Sequence, residues 1–536
     1  MDCALESDRT AGSHRPDGIS TGNLVAKSRP LKQSDPVIQT NASPTLDGLF
    51  RRILARKPDA LALLDPLNKQ RITGQPPKRL TFAQADRAIS ALAAHFIEAG
   101  LPTNSVVAVQ LPNTVEFMLT VLAAHRAGLI VALLPLLWRQ AELTVALNRT
   151  GARAIVTMGR IDGVVHADLA MNAAAESFSI RHVGGFGNDL PEGMASLDLA
   201  LAAQSETTRA ITQDGRRAAI ISFDVTIDGF RAIPRTHLNL IAGGLALSLE
   251  SDVPQGATVM SALAPSSFAG LTSSLVIWLL SGGTLALHHP FDSDVLEQQI
   301  NEHSCDTLIA PAPLALRLAE MDMPSRLPTL RHVMALWRAP EQVASSSPWT
   351  QQRATLTDVY LFGEAGLFAA RRTADGGPAP ILPGPHSAPR EVPGSSISGE
   401  ILLTPRGTLG LRGPMVTPAA YAPAAPPSDS LVAQPSRDFV DTDFAARLDR
   451  STGAICITAP PSGIMAVGGY RFLSHDLQEW ARRLGQGALL TALPDRLSGH
   501  RLAGRAQDNA RAREALAELG LNPLMVEAFR DRITPA

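Results

Sequence analysis

The chain has 536 residues, of which 45% are hydrophobic and 18% are charged, and its 48 Lys and Arg residues against 50 Asp and Glu residues leave a formal net charge of −2. This length exceeds one ordinary hydrophobic core and predicts a large domain followed by a smaller one. The near-neutral charge, without a basic stripe, argues against a nucleic-acid partner.

Cysteine is scarce, and lysine is confined to the start of the chain. The three cysteines, Cys3, Cys305 and Cys456, are odd in number and too far apart for a zinc pattern, which indicates a reducing compartment. The first residues lack the apolar segment of an export signal, so we expect a cytoplasmic location. No lysine follows Lys78, which excludes any mechanism that needs a lysine in the C-terminal half.

Helical and strand patterns alternate after a polar beginning. Residues 1–44 are rich in Ser, Pro, Thr, Gly and Asp, and we expect a disordered tail there. Thr81 is a plausible capping residue for a helix that ends near Gly100. The next predicted elements are strands at 106–111, 130–134 and 154–157 and helices at 115–127 and 141–148. This alternation predicts a parallel sheet covered by helices on both faces.

Two apolar runs approach the length of a membrane span. The run at 120–138 is interrupted by His125 and Arg126, and the run at 271–287 by two glycines. Both are more typical of a buried helix followed by a strand than of a span. We therefore expect no transmembrane segment.

Residues 218–240 predict a strand, a polar loop and a helix that opens at Thr236 and His237. This segment resembles the phosphate loop of the adenylate-forming superfamily (acyl-CoA synthetases, luciferases and nonribosomal-peptide adenylation domains), whose pattern is roughly T-S-G-T-T-G-x-P-K-G-x-x-x-[TS]-H. Aligned on its last two residues, Thr226 takes the place of the second family threonine and Arg231 that of the lysine.

The glycines and the proline of that pattern are all replaced. Val225, Asp228 and Ala232 stand at glycine positions, Phe230 at the proline and Asp224 at the serine. A phosphate loop needs glycines so that backbone N–H groups can converge on an anion. Two carboxylates beside a triphosphate would add repulsion on the order of 1 kcal/mol or more per pair. The resemblance therefore implies the superfamily fold with a damaged ATP site.

The resemblance also covers residues 80–156, which are similar to the first subdomain of adenylate-forming enzymes. It implies an α/β fold with a large N-terminal domain of layered, mostly parallel sheets covered by helices, plus a small β subdomain. We expect this domain at 45–440. A small, truncated α+β C-terminal domain is expected at 441–536.

Three further segments supply candidate site residues by the same resemblance. Phe268 takes the place of the residue that closes over the acyl pocket, with a plain core aromatic as the alternative. Trp337 and Arg338 stand at the two glycines of the S-G-G-A-P adenine turn, where the indole would fill the pocket or stack on a ring. Tyr360 and Glu364 match Y-G-x-T-E-A-G, in which the glutamate contacts Mg²⁺; a solvated loop acid is the alternative for Glu364.

The C-terminal segments resemble the superfamily only in part. Residues 439–449 are similar to W-F-x-T-G-D-L-x-R-L-D, which makes Asp443, after a one-residue slip, and Arg447 nucleotide-binding candidates. Residues 455–469 keep the paired glycines, Gly468 and Gly469, which we assign to the substrate pocket. The family's terminal lysine, whose electrostatic role is worth ~2.7–4 kcal/mol, has no match.

Three functions remain open. The first, which we favour, is a protein impaired or inactive in ATP-dependent adenylation that binds an acyl ligand or acts as an accessory protein, with a protein partner in acyl metabolism. The second is a working ligase for a small carboxylic acid that uses ATP, Mg²⁺ and coenzyme A, with Thr226, Arg231 and Glu364 as catalytic residues, Tyr360 at the nucleotide and Glu364 at the metal. The third is a different enzyme that uses the acyl cleft without ATP, although no nucleophile elbow, HExxH or paired-cysteine signature supports it.

Overall fold

The computed structural model describes residues 43–203, 214–390, 392, 394–417, 419–422, 439–495 and 498–530. The disordered tail predicted at 1–44 lies outside these ranges except for its last two residues.

The first part of the chain follows the predicted alternation. Its elements are α1 (Leu46–Leu54), β1 (Leu61–Leu64), α2 (Lys69–Thr73), β2 (Arg79–Thr81), α3 (Phe82–Glu98), β3 (Val106–Gln110), α4 (Val115–Arg126), β4 (Ile130–Leu133), α5 (Gln140–Thr150), β5 (Ala154–Met158), β6 (Arg160–Ile161), β7 (Val164–Val165), α6 (His166–Ala175), β8 (His182–Phe186), β9 (Ala195–Ser196) and α7 (Leu197–Ala202). Thr81 caps α3 as predicted, through a capping box with Gln84.

The middle of the chain begins with two long strands. Its elements are β10 (Ala218–Thr226), β11 (Gly229–Thr236), α8 (His237–Glu250), β12 (Thr258–Ser261), α9 (Phe268–Leu271), a π-helical segment (Thr272–Val276), α10 (Ile277–Ser281), β13 (Thr284–Leu287), α11 (Ser293–Glu302), β14 (Thr307–Pro311), α12 (Ala312–Glu320), a 3₁₀ turn (Pro324–Arg326), β15 (His332–Trp337), a second 3₁₀ segment (Pro340–Ser345), β16 (Thr355–Leu361) and β17 (Leu367–Arg371).

Two large, mostly parallel sheets hold these elements. One has eight strands in the order β17-β16-β15-β14-β12-β13-β1-β2, and the other has seven in the order β11-β10-β4-β3-β5-β8-β9. Every residue of α4 is buried, and its side chains join the largest core cluster together with those of α3 and α8. The predicted layered α/β fold is confirmed.

The last part of the chain forms a five-stranded antiparallel sheet and a small α+β unit. The elements are β18 (Gly384–Ser387), β19 (Ile397–Leu403), β20 (Thr408–Arg412), β21 (Val440–Leu448), β22 (Ile455–Ala459), β23 (Ile464–Val467), β24 (Tyr470–Leu473), α13 (Ser474–Arg483), β25 (Leu489–Asp495), β26 (Gly499–Arg505), α14 (Asn509–Glu518) and α15 (Pro523–Glu527). The unit from β23 onward has its own core, which includes Leu477, Leu516 and Phe529.

The predicted boundary at residue 440 differs from this arrangement. Strands β21 and β22 pair with β20 and with each other, so they belong to the sheet that begins at β18. Backbone pairing therefore carries the β subdomain to residue 459, about one hairpin beyond the predicted boundary.

The two apolar runs fold as helix-and-strand units, α4 with β4 and α10 with β13. Within the described ranges, no helix is long and apolar enough to cross a membrane.

Candidate active site

A cavity of about 310 Å³ lies where the β10–β11 hairpin, the turn after β16 and the unit that begins at β23 come together. This volume is at the lower end of the range for small-molecule pockets. Aromatic rings contribute much of its lining: Trp138, Phe223, Phe230, Tyr470, Phe472 and Trp480. We call this space the central cavity.

The polar loop predicted between residues 221 and 236 is instead a β-hairpin. Its ladder runs from Ala218 opposite Thr236 to Thr226 opposite Gly229, so Ile227 and Asp228 form the turn. The Val and Phe residues at former glycine and proline positions favour strands. A paired strand offers no ring of N–H groups that converge on an anion, so the expected phosphate loop is absent from this segment.

The two residues expected to act on phosphate lie at the tip of this hairpin. The Thr226 hydroxyl donates to the carbonyl of Gly229 over 3.2 Å. The Arg231 side chain is 45% exposed and pairs with Asp228 at the turn. Neither residue lines the central cavity.

Asp224 stands at the family serine position, and its side chain is 7% exposed. Its Oδ2 accepts a hydrogen bond from the backbone N–H of Glu364 over 2.8 Å, and its Oδ1 accepts one from the N–H of Val225 over 2.9 Å. Arg471 on β24 places its Nη1 3.2 Å from Oδ1. One carboxylate thus joins three segments of the chain at the cavity wall.

Glu364 is buried, with 8% exposure, so the alternative of a solvated loop acid is wrong. Its Oε2 accepts a hydrogen bond from the N–H of Phe268 over 3.0 Å. Burial raises the pKa of this carboxyl, and the nearby guanidinium of Arg235 opposes the rise. In the described part of the chain, no group of three or more His, Cys, Asp or Glu side chains is placed to hold a metal ion.

Arg235, which was not singled out from the sequence, is fully buried behind Glu364. Its Nη2 donates to the Glu364 carbonyl, and its guanidinium carbon lies 3.9 Å from the ring centroid of Phe268. Burial lowers the pKa of Arg235 to about 10. Phe268 is therefore a core aromatic covered by a cation, and its ring does not line the central cavity. The sequence signal that could have identified Arg235 is its position directly before Thr236, which caps α8.

Trp337 is the last residue of β15 and is 4% exposed. Its indole Nε1 donates to Oδ1 of Asp358 on β16 over 2.7 Å, and Arg372 pairs with the same carboxylate over 2.9 Å. The ring packs in a second core cluster, which includes Leu356, Tyr360 and Phe362. The indole is thus held in the core at the position where the family has a glycine.

Arg338 turns toward the C-terminal unit and contacts both paired glycines. Its Nη1 donates to the carbonyl of Gly468. Gly469 has a φ of 123°, and a Cβ added there would collide with the Arg338 guanidinium. The predicted adenine-turn residue and the predicted substrate-pocket glycines therefore contact one another.

The other predicted nucleotide residues lie away from the central cavity. Tyr360 is buried against Phe368 in the second core cluster, because alternate residues of β16 face opposite sides of the sheet. Asp443 is 32% exposed and accepts from Arg406 over 3.0 Å. Arg447 is exposed near the end of β21. The structure does not bring these three residues together with Glu364.

Comparison with known proteins agrees with this architecture. Residues 50–223 match the family described as AMP-binding enzyme. A medium-chain fatty-acid–CoA ligase of Escherichia coli (strain K12) is 24% identical over 257 residues, which are 47% of this chain and 45% of the ligase. The aligned part thus spans less than half the length of that relative.

Two solved structures share the fold. The amide bond synthetase McbA from Marinactinospora thermotolerans has a TM-score of 0.65 at 17% identity, over 89% of this chain and 94% of that one. An acyl-CoA synthetase from Brucella canis has a TM-score of 0.61 at 18% identity, over 90% and 89% of the two chains. The family match over residues 50–223 supports assignment to the adenylate-forming (AMP-binding) superfamily, and the two structural likenesses show that the chain has the fold of these enzymes.

Proposed function

We propose that this protein is an acyl-CoA synthetase-like member of the superfamily that does not adenylate carboxylic acids and instead binds an acyl ligand in the central cavity, as a binding or accessory protein. The observation that carries the proposal is the buried carboxylate of Asp224, which takes the place of a phosphate-binding hydroxyl and is occupied by Arg471 and the Glu364 N–H.

The residues present do not fit ATP. A triphosphate at the hairpin would face the Asp224 carboxylate and would have to compete for Arg471, which is already paired. Exposing one partner of such a buried pair typically costs about 3–5 kcal/mol. The buried indole of Trp337 and the Arg338 contact with Gly468 further oppose an adenine at the turn after β15.

Among the described residues, the two lysines that follow Lys57 are both held in ion pairs, so neither is available to assist adenylation. Lys69 is buried between Asp65 and Glu116, both at 2.6 Å, and Lys78 pairs with Glu116 at 2.8 Å. Residues 79–536 contain no lysine. The ion pairs of Lys69 and Lys78, and the lack of lysine in residues 79–536, support the loss of adenylation. Ligand binding is then the role that the cavity fits best.

A second candidate is a divergent ligase that uses ATP, Mg²⁺ and coenzyme A. It is favoured by the retained Glu364, which lines the central cavity beside Asp224. The family match over residues 50–223 is compatible with both candidates.

Pyrophosphate exchange across a panel of carboxylic acids separates the two, with an active superfamily ligase assayed in parallel. We expect no exchange above the enzyme-free background, and no thermal stabilisation by Mg-ATP, because a ligand that binds the folded state raises its melting temperature. Robust exchange with any acid would overturn the proposal in favour of the ligase.

A further inference from the structure

The charged side chains that line the central cavity differ in whether they have an ion-pair partner. The lining includes two guanidinium groups and four carboxylates: Arg338, Arg471, Glu142, Asp224, Glu364 and Asp476. Arg471 pairs with Asp224, whereas Arg338 donates to a neutral acceptor, the Gly468 carbonyl. Carboxylates still outnumber guanidinium groups by four to two in the lining, so a negatively charged ligand would meet a wall with an excess of negative charge.

Of the four carboxylates, Asp224 alone has a lysine or arginine ion-pair partner in the part of the chain that the structure describes, and Glu142 and Asp476 differ from the buried Glu364 in lying away from Arg235. Glu142, on α5, accepts a hydrogen bond from the backbone N–H of Arg139 over 2.8 Å through Oε2. Burial raises the pKa of Glu142 to about 7, although the backbone N–H and the charge of Arg139 and a hydrogen bond from Asn522 favour its charged form. Asp476, in the first turn of α13, is 58% exposed, and its nearest ion-pair contact is the exposed His475 at 3.7 Å.

Aromatic rings form the wall nearest the hairpin. The ring centroids of Trp138, Phe223 and Phe230 lie 5.2, 5.6 and 5.3 Å apart in pairs. Phe223 and Phe230 are only partly buried, which leaves ring surface open to the cavity. Ring faces carry partial negative charge and attract cations, most strongly where water is excluded.

We propose that the central cavity binds an organic ammonium compound, with its positive charge near Glu142 and its apolar body against Trp138, Phe223 and Phe230. This inference rests on the proposed ligand-binding role and names the chemical class of the ligand. An acyl ester or amide that carries an ammonium group satisfies both proposals, whereas a free carboxylate would be repelled by Glu142 and Asp476.

The test compares three probes of one shape by calorimetry at about pH 8: 4-phenylbutylammonium, 4-phenylbutan-1-ol and 4-phenylbutanoate. We expect the ammonium to bind about tenfold more tightly than the alcohol, and the carboxylate more weakly than the alcohol. Glu142→Gln should remove about tenfold of the ammonium affinity and leave the alcohol affinity unchanged. The matched control is Glu479→Gln, which neutralises an acid of α13 that does not line the cavity.

Binding of 4-phenylbutanoate as tight as that of the ammonium, or no binding of any probe, would overturn the assignment. If Glu142→Gln does not fold, Asp476→Asn at the exposed mouth replaces it, with an expected loss of about two- to threefold. The two proposals fail in different measurements. The ligand class is contradicted by the calorimetry of the three probes, whereas the loss of adenylation is contradicted by pyrophosphate exchange, independently of how the probes bind.

Discussion

Arg471 and Asp224 form a nearly symmetric ion pair, with Nη1 3.2 Å from one carboxylate oxygen and 3.3 Å from the other. The pair connects β24 with β10, and Asp224 also receives the N–H of Glu364. The Arg471 guanidinium carbon lies 5.7 Å from the ring centroid of Phe444. The C-terminal unit is thus attached to the large domain at the segment that resembles the family's phosphate loop.

Asp224→Asn should loosen this attachment. The change removes the negative charge opposite Arg471, whose side chain is 14% exposed, and we expect a loss of about 3 kcal/mol in the free energy of unfolding. Urea unfolding measures the loss of stability. Amide hydrogen exchange that is faster in β23 and β24 of the variant than of the parent would show that the loss arises at this attachment. Asp228→Asn is the control, because that acid is 65% exposed, and its effect should stay within about 0.5 kcal/mol. Equal effects of the two changes would contradict the role given to Asp224.

Replacing Trp337 should cost stability in proportion to the volume removed. Trp337→Phe keeps most of the ring but leaves an oxygen of Asp358 without its indole donor, for an expected loss of about 1–3 kcal/mol. Trp337→Gly also leaves a large cavity in the core, and we expect a loss of about 4–5 kcal/mol or more. Differential scanning calorimetry of both variants measures the difference. If Trp337→Gly were as stable as the parent, the indole would not be a core residue.

The buried lysine network should tolerate loss of its outer member better than loss of its inner one. Lys69 is fully buried between Asp65 and Glu116, whereas the Lys78 side chain is 28% exposed and contacts Glu116. We expect Lys69→Met to cost about 3–5 kcal/mol, because it leaves a buried carboxylate without compensation. Lys78→Met should cost about 1–2 kcal/mol. Denaturant midpoints compare the two variants, and a reversed order would contradict the geometry.

The stability of the fold should fall as the pH drops below about 6.5 because of buried histidines. The Nε2–H of His125 donates to the Ala219 carbonyl, 3.0 Å away, and the ring centroid of His125 lies 4.7 Å from that of His237. Burial lowers the pKa of His125 to about 4 and that of His237 well below its usual value. Nearby Asp47 favours the charged form of His125 but does not prevent this shift.

Stability falls at acid pH because the unfolded chain binds protons that the folded chain does not. Between the unfolded pKa and a pKa near 4, the unfolded chain binds a proton that the folded chain does not. Stability is therefore full above the unfolded pKa, and His125 removes up to about 1.4 kcal/mol per pH unit below it. Urea unfolding between pH 7 and 5 measures the slope, and His125→Gln should reduce it. His475→Gln, at an exposed position, is the control, and an unchanged slope in His125→Gln would contradict the assignment.

The element pattern could be predicted because its causes are local. Thr81 and Thr236 each cap the helix that follows by accepting an N–H three residues ahead, a signal contained within four residues. The predicted loop was wrong for a related reason. The polar residues between Ile221 and Thr236 suggested a loop, whereas Val225 and Phe230, which lie opposite each other in the ladder, favour strands.

The candidate site could be predicted only in part. Glu364 was recognised by its motif, and it does line the central cavity. Tyr360 lies on β16 itself, where it faces the second core cluster while its neighbour Leu361 lines the cavity, since strand residues alternate between faces. Glu364 lies in the turn that follows the strand. The only sequence signal for Arg235 is its place directly before the capping Thr236, and Arg471 belongs to no motif, so the contacts of both at the site became visible only in the folded chain.

Periodicity, capping and motif order depend on residues close together in the chain, so the amino-acid sequence alone predicted most of the helices and strands, the layered α/β architecture and the resemblance to the superfamily. Which charges meet depends on the tertiary fold. Asp224 and Arg471 are separated by 247 positions, and Arg235 and Glu364 by 129. Whether a carboxylate repels a ligand or is satisfied by a guanidinium depends on such distant contacts, which no local pattern encodes.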